Sequence, residues 1–248
     1  MPDRNTAIIS VASGKGGVGK TWLTINLAAS LSQKGKKVLV IDCDLGLANI
    51  DIMLGINPRG NLKDVLFDDI DIRDVMIRTN AGFDFIPASS GAREMTQLLQ
   101  ENIERLQDLV AEISMDYDYV LLDIGAGISD AVVQFNRFAG RNLVVLTRDL
   151  TSIADAYAMM KMIHQMFGKK DFEIIVNAVR DDVEGLKVFN HIDSICKRFL
   201  NFPLRYLGCI PFDETVPRSI MKQTALVLLF PGSSAAIMTN RIAKTISS

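Results

Sequence analysis

Short apolar runs alternate along the chain with longer segments in which apolar residues recur at helical spacing. Seven runs are apolar on both faces, which predicts strands covered by helices on both sides of a sheet: Ala7–Ala12, Lys37–Asp42, Phe83–Pro87, Tyr119–Asp123, Asn142–Thr147, Glu173–Asn177 and Leu204–Ile210. The helical periodicity predicts helices at Thr21–Lys34, Gln97–Ile113, Ile128–Phe138, Ser152–Phe167, Val183–Phe199, Val216–Gln223 and Ser233–Ile246. This alternation predicts an α/β fold, with a mostly parallel, doubly wound β-sheet and helices on both faces.

Length and composition predict one domain over residues 1–248. The hydrophobic fraction of 48% excludes a wholly disordered chain. With 27 basic and 29 acidic residues, the net charge of −2 argues against nucleic acid or an anionic membrane as a partner. The cysteines Cys43, Cys196 and Cys209 share no CxxC spacing, which argues against a disulfide framework or a zinc knuckle. The first residues lack the apolar segment of a secretory signal, so we expect a cytoplasmic protein.

A glycine-rich loop directly after the first predicted strand carries the strongest chemical signal. Its residues match the pattern G-x-x-x-x-G-K-[ST], which chance produces in roughly one chain of this size in a hundred; they are Gly14, Lys15, Gly16, Gly17, Val18, Gly19, Lys20 and Thr21. Glycines let successive backbone N–H groups converge on phosphate oxygens at the start of a helix. Lys20 would reach the β- and γ-phosphates, and the Thr21 hydroxyl would bind Mg²⁺. The alternative is a solvated glycine turn, and the strand–helix context favours a nucleotide-binding P-loop.

Acidic residues end two further predicted strands. Asp42 and Asp44 follow the second strand, one residue apart, and Asp123 ends the hydrophobic run Tyr119–Asp123. Near a P-loop, such carboxylates suit the positioning of water and the binding of Mg²⁺, because metal and phosphate charges need anionic partners. We therefore favour a functional role over the alternative, in which they are strand-end caps or turn residues.

The lysine-rich form of the loop also indicates a family. The run Lys15-Gly-Gly-Val-Gly-Lys20-Thr21 resembles the deviant Walker A motif of the MinD/ParA family of dimeric ATPases. In that family the first lysine crosses a dimer interface and contacts the phosphates of the partner's nucleotide. The resemblance implies an ATP- and Mg²⁺-dependent homodimer with slow regulatory hydrolysis, in which Lys15 and Lys20 are catalytic. The alternative for Lys15 is a solvent-facing side chain.

The same resemblance assigns further roles. The segment from Asp42 to Asp51 looks like the family's switch I, which implies that Asp44 orients the attacking water and that Asp42 lies on the magnesium side. The segment Asp123-Ile-Gly-Ala-Gly127 resembles switch II, although the family often has Pro or Ala at the position of Gly125. Three residues match the adenine-side positions, although each could be an ordinary strand-end residue: Asn177, Pro211 and Asp213.

Three segments resemble the FlhG/FleN branch more than MinD or ParA proper: residues 44–51, 125–130 and 151–157. That branch controls the number and placement of bacterial flagella, which implies a flagellar GTPase or a transcription regulator as the protein partner. The branch commonly carries a membrane-targeting helix beyond the core. We expect the last predicted helix, Ser233–Ile246, to be part of the fold, so membrane binding should be weak or absent, with at most a transient position at the inner membrane face.

Other functions remain open on sequence grounds. A MinD-like division-site ATPase and a ParA-like partition ATPase share the same motifs, and DNA retention that fades steeply with salt would select the latter. A metabolic P-loop enzyme, such as a ligase or a reductase, would show a further substrate pocket and fast, substrate-dependent turnover.

Overall fold

A computed structural model describes residues 6–44, 49–88 and 100–248 of the chain. Its strands form one eight-stranded sheet in the order β3-β4-β2-β5-β1-β6-β7-β8; they are β1 (Ala7–Ser13), β2 (Val38–Cys43), β3 (Ile77–Arg78), β4 (Asp84–Ile86), β5 (Tyr119–Ala126), β6 (Arg141–Thr147), β7 (Phe172–Val179) and β8 (Arg205–Pro211). Only β3 pairs antiparallel to its neighbour, and every other described pair is parallel. The predicted mostly parallel sheet is confirmed.

Helices cover both faces of this sheet. In the described residues they are α1 (Lys20–Gln33), α2 (Ile50–Leu54), α3 (Leu62–Phe67), α4 (Gln100–Ser114), α5 (Asp130–Phe138), α6 (Leu150–Phe167), α7 (Asp182–Leu200), α8 (Thr215–Met221), α9 (Leu226–Leu229) and α10 (Ser234–Ser247). Successive strand residues point to opposite faces. Leu121 packs in the cluster beneath α1, α9 and α10, whereas Leu122 packs in the cluster beneath α3 to α7. The strands are therefore buried on both sides, as their uninterrupted apolar runs predicted.

The prediction omitted four short elements: α2, α3, α9 and β3. The start of α3 carried a recognisable signal, because Asn61 and Asp64 form a reciprocal capping box. The apolar run Ala225–Phe230 contains α9, whose Leu226 and Val227 are buried and which contacts α1, α8 and α10. The predicted helix Gln97–Ile113 lies partly outside the described residues, within which α4 begins at Gln100.

The last helix is part of the fold, as expected. The side of α10 that faces α1 and β8 is buried, and it comprises Ala235, Ala236, Thr239, Ile242, Ala243 and Ile246. Ile237, on the outer side, is 48% exposed. Across the described ranges, we find no helix with both the length and the hydropathy of a membrane span.

Candidate functional site

Strand order brings the predicted site residues together. The central strand β1 lies between β5 and β6, and β5 lies between β1 and β2. In this register Asp42 pairs directly with Asp123, and Asp123 pairs with Val11 of β1. Because these three strands are parallel, their carboxyl ends meet at one edge of the sheet, next to the P-loop.

Two glycines explain why the P-loop takes its course. A side-chain carbon on Gly14 would lie 2.1 Å from the backbone carbonyl carbon of Asp155 in α6, so only glycine fits there. Gly19 has a φ of 88° and directly precedes α1, and no side chain caps the first turn of that helix. The unpartnered N–H groups of a helix start are suited to binding an anion, and their position here matches the sequence prediction.

We expect the Gly14→Ala substitution to destabilise the protein by roughly 3 kcal/mol or more, because backbone atoms of α6 would have to move. The matched control is Gly16→Ala, since a side-chain carbon at Gly16 meets no atom within 4 Å. Thermal or urea unfolding of both variants measures the difference. Equal losses in the two variants would show that the close contact between the P-loop and α6 does not limit stability.

The P-loop borders a cavity of about 540 Å³, here called the P-loop cavity. It is lined by Gly16, Gly17, Val18, Gly19, Lys20, Thr21, Trp22 and Asp44, together with Ser13, Asn49, Ile52, Met53, Ala126 and Ile220. Asp42 and Asp123 lie beneath this surface rather than on it, and each is only 1% exposed. The predicted loop and acids therefore gather at one place, with two of the carboxylates buried under the cavity.

Lys20 holds a buried ion pair with Asp123. Its Nζ lies 3.0 Å from Oδ1 of Asp123, and the same oxygen accepts a hydrogen bond from the Thr24 hydroxyl at 2.9 Å. The other carboxylate oxygen, Oδ2, is buried without a hydrogen-bond partner. A buried carboxylate oxygen in this condition costs free energy, and a metal ion or a metal-bound water is a group that would satisfy it.

The Asp42 carboxylate accepts two backbone hydrogen bonds within the predicted switch I segment. Its Oδ1 accepts a hydrogen bond from the Asp44 N–H at 2.9 Å, and its Oδ2 accepts one from the Asn49 N–H at 3.3 Å. Burial raises the pKa of Asp42 well above its usual value, and the nearby Asp123 carboxylate raises it further. Lys20 and the hydrogen bond from Asp44 oppose this shift. Two acids and one lysine thus share a small buried volume, an arrangement that favours binding of a further cation.

Asp44 is half-buried on the wall of the P-loop cavity. It approaches the β5 end, because a side-chain carbon on Gly125 would lie 3.4 Å from its Oδ1. Glycine at position 125 leaves that space open, whereas Ala or Pro would contact the carboxylate. Residues 45–48 of the same predicted switch segment lie outside the described residues.

Lys15 is exposed and does not take part in the buried ion pair. Its Nζ contacts the Thr151 hydroxyl at 2.9 Å, near the start of α6. Together with the contact of Gly14, this bond joins the P-loop to α6 at two successive residues. Lys15 therefore lies at the surface of the chain.

The adenine-side residues of the prediction line a second cavity of about 220 Å³, here called the β7–β8 cavity. Asn177 donates a hydrogen bond from Nδ2 to the Val18 carbonyl at 2.7 Å, which ties the end of β7 to the P-loop. Pro211 and Asp213 also line this cavity. Burial would raise the pKa of Asp213, but hydrogen bonds from Thr215 and from the first turn of α10 outweigh it and lower the pKa. Asp213 thus connects α8 and α10 through hydrogen bonds at this cavity.

The sequence prediction missed residues that form the boundary between the cavities. Gly19, Trp22 and Ile220 line both the P-loop cavity and the β7–β8 cavity, and only the first of them lies within the motif. A separate groove of about 790 Å³ lies between the starts of α6 and α7 and contains none of the predicted residues. We assign the site to the P-loop because the buried acids and the helix start converge there.

Comparison with known proteins supports this assignment. The family model of the CobQ/CobB/MinD/ParA nucleotide-binding domain matches residues 9–227. The antiactivator FleN of Pseudomonas aeruginosa is 37% identical over 241 residues, which cover 97% of this chain and 86% of FleN. The flagellum site-determining protein YlxH of Helicobacter pylori is 31% identical over 96% of this chain and 81% of its own length.

A solved structure agrees with the fold. A chain of the MinC–MinD cell division protein complex of Aquifex aeolicus aligns with a TM-score of 0.79 and 27% identity, over 98% of this chain and 96% of its own. The chain therefore belongs to the MinD/ParA family of P-loop nucleotide-binding proteins, and it resembles the FlhG/FleN branch of that family.

Proposed function

We propose that the chain is an MgATP-dependent dimerisation switch that regulates the number or placement of flagella. The observation that carries this proposal is the position of two lysines on one P-loop. Lys20 is buried against Asp123, whereas Lys15 is exposed at the edge of the same loop. One cation is thus suited to a nucleotide bound in its own subunit and the other to a nucleotide bound in a second subunit.

The residues around Lys20 fit a magnesium nucleotide. The unpartnered Oδ2 of Asp123, the Thr21 hydroxyl and the proximity of the Asp42 and Asp123 carboxylates all favour an added cation. We propose that Thr21, Asp42 and Asp123 hold Mg²⁺, directly or through water. When bound, the ion would supply positive charge against the phosphates.

The hydrolytic step is assigned to positioning by protein groups. The N–H groups of Gly16 to Thr21 and the Lys20 ammonium bind the phosphates and neutralise them. Asp44, on the cavity wall, accepts a hydrogen bond from the attacking water and orients it. We propose that Asn177, Pro211 and Asp213 form the side that receives the adenine, since the β7–β8 cavity is largely apolar and adjoins the P-loop.

A protein partner is proposed by analogy with the relatives. MinC is the partner of the Aquifex aeolicus MinD, and FleN is named as an antiactivator. For this chain we propose a flagellar GTPase or a transcription regulator. The proposal of a single domain over residues 1–248 is supported by the single sheet that joins all described strands.

The function is tested on the parent protein by calorimetry, phosphate release and analytical sizing. We expect binding of ATP and ADP in the presence of Mg²⁺, slow release of phosphate, and a dimer with ATP but not with ADP. An oligomeric state that does not depend on the nucleotide would contradict the switch. Retention on non-specific DNA that fades steeply with salt would instead support a partition ATPase.

We expect the Lys15→Ala variant to bind ATP nearly as tightly as the parent and to remain monomeric. The exposed ammonium contributes charge to the phosphates only when two subunits face each other, so its loss should affect association. The matched control is Thr151→Val, which removes the hydroxyl that contacts Lys15 and keeps the lysine itself. A Lys15→Ala variant that dimerises in ATP like the parent would show that Lys15 does not act across an interface.

A further inference from the structure

Trp22 lies where the two cavities of the site meet. It is the third residue of α1, and it lines both the P-loop cavity and the β7–β8 cavity. A nucleotide with its phosphates at the P-loop and its base in the β7–β8 cavity must pass its ribose and α-phosphate along this boundary. Trp22 is therefore adjacent to the middle of the ligand, a region for which the motif residues provide no side-chain donor.

The indole of Trp22 carries an unused hydrogen-bond donor. The residue is 5% exposed, and its Nε1 is buried without a partner. Within the described part of the chain, the other buried side-chain atoms in this condition are Ser32 Oγ and Asp123 Oδ2. Buried indole N–H groups usually find an acceptor, because an unmade hydrogen bond costs free energy. Asp123 already has a proposed use in the bound state, and a similar explanation suits Trp22.

We propose that the Trp22 indole N–H donates a hydrogen bond to an oxygen of the ribose–α-phosphate part of a bound nucleotide. This inference rests on the proposed nucleotide-binding function and names a further ligand-contacting residue of the same site. The acceptor is a ligand oxygen, which exists in this region of the molecule only while the nucleotide is bound.

A ligand can reach Nε1 only if part of the boundary moves, because Nε1 is buried by protein. Ile220 of α8 lines the same two cavities and is 38% exposed, so its side chain can be displaced with less loss of packing than the buried Trp22. Movement of α8 would also reach α2, because Gln223 donates a hydrogen bond to the Ile52 carbonyl at 3.0 Å. Nucleotide binding would thus also shift α2, which lies outside the P-loop.

The chain has one tryptophan, which permits a direct test on the parent protein. In a ¹⁵N-labelled sample the indole N–H gives a single resonance, followed by NMR while MgADP is added. We expect this resonance to move downfield as the hydrogen bond forms, and its exchange with solvent to slow. Pyrophosphate, which lacks both the ribose and an α-phosphate ester, should leave the resonance in place.

The second measurement is the affinity of the Trp22→Phe variant, which keeps an aromatic ring and removes the donor. We expect calorimetry to show MgADP binding weakened about tenfold, as for one lost hydrogen bond to a polar oxygen. The control is Phe199→Leu, which alters an exposed aromatic residue of α7 that lines neither cavity and should bind like the parent. Comparison of ADP with 2′-deoxy-ADP, 3′-deoxy-ADP and the α-thiophosphate analogue identifies the acceptor, since only the analogue that lacks it should show no further loss in Trp22→Phe.

Two outcomes would overturn the inference while leaving the proposed function intact: MgADP binds the parent but the indole resonance stays unshifted, or Trp22→Phe binds with parental affinity. If the parent does not bind MgADP at all, the proposed function itself fails, and this inference fails with it. The NMR arm uses the unaltered chain, so it remains informative even if Trp22→Phe does not fold.

Discussion

Replacing Lys20 by alanine is expected to abolish nucleotide binding and to lower the free energy of unfolding by about 3–5 kcal/mol, the usual loss when one partner of a buried ion pair is removed. Binding is lost because no other side chain of the P-loop places a cation at the β- and γ-phosphates. Stability is lost because the Asp123 carboxylate, 1% exposed, keeps only the hydrogen bond from Thr24 and faces the buried Asp42.

The destabilisation should depend on pH in a defined direction. Lys20 opposes the rise in the pKa of Asp42, so without Lys20 this buried carboxyl holds, in the folded state, a proton that the unfolded state releases near pH 4. The loss of stability that comes from this carboxyl is therefore absent below about pH 4. It grows as the pH rises toward the raised pKa of Asp42 in the folded state. Urea unfolding at several pH values measures this trend, and an equal loss at low and neutral pH would contradict it.

A double variant separates the two effects of Lys20. Lys20→Ala combined with Asp123→Asn removes the unpaired charge, so it should regain most of the stability and still fail to bind ATP. The surface variant Lys36→Ala serves as the control for loss of a lysine, since Lys36 is exposed at the opposite end of α1. Calorimetry that shows parental ATP affinity in Lys20→Ala would refute the assignment of the P-loop.

The Asp44→Ala variant is expected to bind MgATP nearly normally and to hydrolyse it roughly 10²-fold more slowly or worse, as is typical when a reacting group loses its positioning partner. The physical reason is that phosphoryl transfer needs little covalent help, so a side chain affects the rate mainly by orienting the attacking water. Since the P-loop amides, Lys20 and Mg²⁺ still hold the phosphates, the variant should accumulate as an ATP-bound dimer. Lys20→Ala should not accumulate in this form.

Phosphate release measured beside sizing in ATP tests this prediction. Asp68→Ala is the control for loss of an acid, because Asp68 is exposed just after α3 and does not line the P-loop cavity. It should hydrolyse ATP at the parental rate. A parental rate in Asp44→Ala itself would move the catalytic role to another residue, with Asp42 the first to examine.

Local patterns were sufficient for the fold class and for the P-loop. Strand–helix alternation predicted the parallel sheet, because strands buried on both faces read as uninterrupted apolar runs. The P-loop could be predicted as well, because its glycines, its lysine and the start of α1 are adjacent along the chain. The short elements α2, α3 and α9 were missed because fewer than seven residues give too little periodicity to separate a helix from a loop.

The contacts that complete the site come from residues far apart along the chain, and strand order alone brings them together. Asp42 meets Asp123 because β5 is inserted between β1 and β2, and no local periodicity encodes that order. The same holds for Lys15 with Thr151, for Gly14 with Asp155, and for Asn177 with Val18. The unpartnered donor of Trp22 is the clearest case. Composition reports a single tryptophan, but only the tertiary packing around α1 buries its indole N–H without a partner in a residue that lines two cavities. The sequence by itself thus determined most of the secondary structure and the phosphate-binding motif, because both depend on neighbouring residues. Charge pairing, burial and unmet hydrogen bonds depend on which distant segments the sheet places side by side, so only the tertiary structure decided them.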